Sequence, residues 1–180
     1  PMHVTGACHC GAITFEAEVD EGRVFTCHCT DCQVIASTAF RFGAIVRRET
    51  FSMRGPFKEY AKIGTSGQRR IQVFCPECAT GIYSYSPDSA MPYLSLRLGG
   101  VHQRAQLTPV HQLWYRSVLP WVARLNEIPR CQEQEILASM LGLARTEDIY
   151  FAATGREISL LWHTPYYFTS TAIVEASREM

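Results

Sequence analysis

The chain has 180 residues, of which 47% are hydrophobic and 19% charged, and its formal net charge is zero. That describes one globular domain long enough to bury a core, with room for an appendage. No run of lysine or arginine exceeds two residues and no apolar stretch nears the roughly 18 of a membrane span, so neither nucleic acid nor membrane is an expected partner.

The start, Pro1-Met2-His3-Val4, has neither the basic end nor the apolar core of an export signal, and a cytoplasmic location is expected. In that setting the eight cysteines point to metal rather than to disulfides. Seven fall in three clusters: Cys8-x-Cys10, Cys27-x-Cys29-x-x-Cys32 and Cys75-x-x-Cys78. Cys131 stands apart and reads as a buried or free thiol.

In chain order, Ile13, Phe15, Ala17 and Val19 alternate with Thr14, Glu16 and Glu18, the period of a half-buried strand. Cys8 and Cys10, two apart, would share one face of an extended segment, with His9 on the other. Asp20-Glu21-Gly22 reads as a turn, and Arg23 to Thr26 leads as a strand into the central cluster. His28, between two cysteines, is expected to project away from a metal there, as a supporting side chain or as a proton carrier. Further strands are expected at Thr38 to Phe42, Phe51 to Met53, Phe57 to Ile63 and Arg69 to Phe74, with turns at Gly43, Arg54-Gly55-Pro56 and Gly64 to Gly67. The last strand delivers Cys75-Pro76-Glu77-Cys78 as a turn, and Ile82 to Ser86 returns, the outline of a zinc knuckle. Leu94, Leu96 and Leu98 mark another strand. Pro109 to Trp121 is expected to close over the sheet, with Trp114 and Trp121 as core or cleft wall. Beyond residue 131, apolar positions from Ile136 to Ala144 suit an amphipathic helix, and Ile149 to Ala153 with Glu157 to Trp162 suit a hairpin.

Seven thiols divide most simply as four plus three. Cys8, Cys10, Cys75 and Cys78 make two hooks of the kind that close a tetrahedral zinc site, leaving Cys27, Cys29 and Cys32 for a second ion. A permuted pairing, in which the central three borrow from another hook, is the alternative. Soft thiolates favour zinc, with an iron–sulfur cluster as the minor option. A zinc held by three thiolates carries one net negative charge, and a thiolate ligand would add another, so cations should stand nearby. Arg41, Arg47, Arg48, Arg69, Arg70, Arg97 and Arg116 are the supply.

G-x-C-x-C-G at Gly6 to Gly11, C-H-C-x-x-C at Cys27 to Cys32 and F-C-x-x-C at Phe74 to Cys78 resemble the glutathione-dependent formaldehyde-activating enzyme family, whose domain is shared with a centromere-associated protein of animals. The resemblance covers roughly residues 3–131, with Leu119-Pro120-Trp121 near its end. It implies a mainly β, Mss4-like β-tent of antiparallel sheets with zinc at strand turns. Residues 132–180 lie outside it and read as a C-terminal α/β extension. It also implies two zinc ions per chain: one structural, on Cys8, Cys10, Cys75 and Cys78, and one catalytic, on Cys27, Cys29 and Cys32. The implied activity is that of a carbon–sulfur lyase joining formaldehyde to glutathione, with a small thiol or its aldehyde adduct as partner. On chemical grounds, His28 or Asp31 could move the proton beside an open zinc. Gln33 stands where many members have a basic residue, and Ala79 where many have glycine. A non-catalytic, zinc-stabilised protein-interaction module is the competing expectation, and a redox thiolate a third.

Overall fold

Alternating apolar side chains build most of the strands. In the computed structural model, which describes residues 1–64 and 66–132, they run β1 Met2–Ala7, β2 Thr14–Val19, β3 Val24–Cys27, β4 Arg41–Arg47, β5 Ser52–Arg54, β6 Lys58–Ile63, β7 Arg69–Phe74, β8 Gly81–Tyr85, β9 Tyr93–Arg97 and β10 His111–Leu113. One α-helix, α1 Thr30–Ala36, interrupts them among the described residues. The fold is mainly β, as expected. Residues Pro1–Leu125 form one compact unit and a second begins at Asn126. The helix and hairpin expected beyond residue 132 lie outside the described residues.

The strands form two sheets, one ordered β1-β2-β5 and one ordered β10-β3-β4-β9-β8-β7-β6. Every pair is antiparallel except β10 with β3, which is parallel. The two sheets share a core. Val4, Phe15, Ala17 and Val19 of the small sheet meet Val24, Ala44, Val46, Leu94 and Leu96 of the large one. Each such Val, Leu or Phe side chain, when fully buried, contributes about 1.5–3 kcal/mol. The opposite face of the large sheet carries a second cluster, in which Phe25 and Ile45 pack with Cys27, Cys29 and Cys32. The large sheet thus separates the general core from the central cysteines.

Two expectations are corrected here. The strand expected at Thr38 to Phe42 starts later and runs on through Gly43, which is not a turn. A Cβ at Gly43 would lie 3.0 Å from the Leu96 carbonyl oxygen and 3.1 Å from the Phe25 ring. Glycine is required there by close approach within the sheet, not by chain reversal. Helix α1 carries no periodic signal in so short a stretch. It starts because the Cys29 sulfur accepts the Cys32 N–H, and it ends at Ser37, which is left-handed with φ 51°.

The substitution Gly43→Val is expected to lower stability by about 1–3 kcal/mol through overpacking. A urea midpoint equal to that of the parent chain would show that the strands yield to the extra methyls.

Candidate metal centres

The four-cysteine group joins turns from the two sheets. Cys8 and Cys10 lie in the β1–β2 connection, and Cys75 and Cys78 in the β7–β8 connection. All four sulfurs lie within 4.8 Å of one another, with Cys8 to Cys10 at 3.5 Å and Cys10 to Cys75 at 3.7 Å. A tetrahedral ion with Zn–S bonds of roughly 2.3 Å would set its sulfurs about 3.8 Å apart, so the donor set fits zinc. The Cys8–Cys10 segment is a turn, not the extended segment the spacing suggested. Gly11 N–H donates to the Cys8 carbonyl at 3.0 Å, and Gly11 takes a φ of +79°. The turn still converges both sulfurs, because Ile13 N–H donates to the Cys8 sulfur at 3.2 Å and fixes it inward. His9 stays outside the cluster, exposed, with its backbone N–H donating to Thr80 Oγ1. The Cys78 sulfur sits 3.1 Å from the same hydroxyl, and hydrogen bonding from Thr80 draws its thiol down to about 5.

The central group is local. Cys27 ends β3, Cys29 caps α1, and Cys32 lies in the first turn of α1, with the three sulfurs within 4.8 Å of one another. Among the described residues no further His, Cys, Asp or Glu joins them. The Cys27 thiol is lowered to about 5, first by its hydrogen bond with Cys32, while Cys32 is pushed upward by the same contact and by burial. Asp31, on the same helix, is committed to an ion pair with Lys62.

His28 is 1% exposed and lies on the side of Thr26, away from Cys27. Its Nε2 is 3.3 Å from Thr26 Oγ1 and 3.1 Å from Gln112 Oε1. Because an amide oxygen only accepts, Nε2 carries the hydrogen in this arrangement. Phe40 and Tyr115 enclose the ring at centroid distances of 5.4 and 5.8 Å. Residues 111–117 strap this motif down. His28 N–H donates to the Leu113 carbonyl at 2.9 Å, and Gln33 Nε2 donates to the carbonyls of His28 and Ser117 at 2.7 and 2.9 Å. Gln33 is thus a clasp between α1 and the strap.

Sequence reasoning missed the strap's grip on His28 and did not choose among the arginines. Arg41 and Arg97 are the two that act on the central thiols. Arg47 lies over Tyr93, Arg48 over Tyr85 and Arg116 over Trp114, and Arg69 pairs with Asp88. Burial, and then Arg41, lower Arg97 to about 10, and the three cysteines oppose that shift. Trp114 and Trp121 are 45% and 47% exposed rather than core. Cys131 is a free thiol and is exposed rather than buried. No helix among the described residues is long and apolar enough to cross a membrane.

Comparison with known proteins gives three findings. The family described as "Glutathione-dependent formaldehyde-activating enzyme" matches residues 3–117. A Schizosaccharomyces pombe protein described as an uncharacterized lyase is 27% identical over 88 residues, 49% of this chain and 61% of its own length. The chain therefore spans less than two thirds of that relative. A solved structure of a Rhodobacter sphaeroides protein matches 60% of this chain and 98% of its own at 18% identity, with a TM-score of 0.48.

Ala79, in the Cys75–Cys78 knuckle, has a φ of +57°. A residue with a Cβ is strained there by about 1–2 kcal/mol. Ala79→Gly is therefore expected to stabilise the chain by about 0.5–1 kcal/mol after the entropy of the unfolded glycine is counted. Thermal unfolding measures this, and a lower midpoint would show that the turn tolerates Ala without strain.

Proposed function

The chain belongs to the glutathione-dependent formaldehyde-activating enzyme family, and from that premise we propose that it is a zinc-dependent carbon–sulfur lyase acting on a thiol and an aldehyde. Formaldehyde and glutathione, giving S-hydroxymethylglutathione, are the pair to test first. The observation that carries this reading is the central group's donor count: three converging sulfurs, with no fourth protein donor among the described residues. Structural zinc takes four protein ligands, whereas three leave a place for substrate.

In this reading residues 3–131 are the working domain and 132–180 an extension. Cys8, Cys10, Cys75 and Cys78 hold a structural zinc, and Cys27, Cys29 and Cys32 hold the second. Zinc bound there would supply a Lewis acid that keeps a thiol deprotonated near neutral pH. In the addition, the sulfur lone pair forms the S–C bond, the carbonyl π pair moves to oxygen, and the proton lost by sulfur is balanced by one gained at that oxygen. Cys29 contributes to orientation, since its sulfur is already fixed by the Cys32 N–H at 3.4 Å. His28 serves as a positioning residue: its enclosed ring and its bonds to Thr26 and Gln112 hold the backbone between Cys27 and Cys29 in one conformation. A second reading, a zinc-stabilised interaction module without catalysis, is favoured by the exposure of Trp114, Tyr115 and Trp121 on one stretch of chain.

Two zinc ions per chain are expected on protein purified without added metal. Cys27→Ser or Cys32→Ser should return the formaldehyde–glutathione exchange rate, read by NMR, to the uncatalysed background while the circular dichroism spectrum is retained. Cys8→Ala or Cys75→Ala should unfold the chain, because a structural zinc contributes about 10–16 kcal/mol, comparable to the whole stability of a domain. Equal unfolding by both sets, or exchange at background in the parent chain, would remove the catalytic reading and favour the module.

A further inference from the structure

We propose that Arg41 and Arg97 are an anion-selecting pair for the Cys27/Cys29/Cys32 centre, admitting a monoanionic ligand such as a thiolate in preference to a neutral one. The inference rests on the reading of that centre as a metal site with a position for substrate.

Strand register places the pair. Arg41 is directly opposite Cys27 across β3 and β4, and Arg97 is directly opposite Gly43 across β4 and β9. Since Arg41 and Gly43 are two apart, Cys27, Arg41 and Arg97 all project from one face of the sheet. Gly43 adds no side chain between the two guanidinium stems.

The pair is poorly matched by protein acceptors. Arg97 is 9% exposed, and its Nη2 donates to Gln72 Oε1 at 2.5 Å. Its Nε has no partner, nor has the buried Nε of Arg41 or the Ser95 hydroxyl on the same face. Among the described residues no carboxylate pairs with either arginine. Two neighbouring cations at such burial are costly unless negative charge answers them. The central thiols answer them in part.

Charge accounting decides what completes the match. Three thiolates around a divalent ion leave one negative charge, and the two guanidinium groups together leave the ensemble at plus one. A monoanion at the open position brings the ensemble to zero, whereas a neutral ligand leaves it charged in a region of low dielectric. Planar guanidinium forks also supply the unused donors that an anionic oxygen or sulfur would accept.

The test uses the full chain loaded with cobalt(II), whose visible bands report ligand entry. Thiocyanate serves as the monoanion and imidazole as the neutral probe. Arg97→Gln and Arg41→Gln should each weaken thiocyanate about tenfold or more, the scale of a lost charge-assisted hydrogen bond, and leave imidazole within about twofold. Arg97→Lys, which keeps the charge, should retain most of the preference. Unchanged imidazole binding also certifies that the variants fold. Equal weakening of both probes, or no weakening of thiocyanate, overturns the pair's role and leaves the lyase reading standing. A parent spectrum that neither probe alters overturns both. Anion preference without any thiol–aldehyde turnover supports the pair and removes the lyase reading alone.

Discussion

Four sulfurs from two sheets must meet at one point, and much of the architecture follows from that demand. Cys8 and Cys10 leave the small sheet, Cys75 and Cys78 leave the large one, and their contacts of 3.5 and 3.7 Å set how the two connections approach. The aliphatic core between the sheets fills the space so defined. The His9 backbone N–H, donating to the Thr80 Oγ1 across the two turns, reinforces the junction. A cluster of this type converts ligand affinity into fold stability, which lets a modest core suffice.

The central cysteines answer a different requirement. They occupy a strand end and one helical turn, so their convergence needs only six residues of chain. What they take from the rest of the fold is surroundings: a strap from residues 111–117, an enclosed histidine, and two arginines reached only through the sheet register. In the proposed reading, a metal on the four cysteines would brace the scaffold, and the strand register of that scaffold sets Arg41 and Arg97 on the face of the other three. Gln33 illustrates this. Its amide ties the helix to the strap through the carbonyls of His28 and Ser117, and the arginines on the face of the central cysteines come from the sheet.

Much of this was legible in the sequence, and the remainder fails for identifiable reasons. Period-two alternation gave away the strand around Phe15, Ala17 and Val19 and the strand of Leu94 and Leu96, because each has one face in the core. The gathering of sulfurs into four and three was readable because the spacing inside each hook is local. Gly43 misled, since a glycine looks like a turn until the Leu96 carbonyl and the Phe25 ring are seen beside it. Helix α1 was invisible because a single cysteine cap starts it and seven residues show no period. Arg41 and Arg97 could not be picked from seven arginines, because register relates Arg97 to Cys27 through an intervening strand.

The separation of 65 residues between Cys10 and Cys75 also orders events during synthesis. At typical translation rates, Cys8 and Cys10 emerge roughly 3–13 s before their partners exist. Cys27, Cys29 and Cys32 emerge complete within that interval. The nascent chain therefore presents a finished three-thiol set while the first hook is still waiting. In the proposed reading, metal available during synthesis would therefore meet the three-thiol set before the four-cysteine set can form.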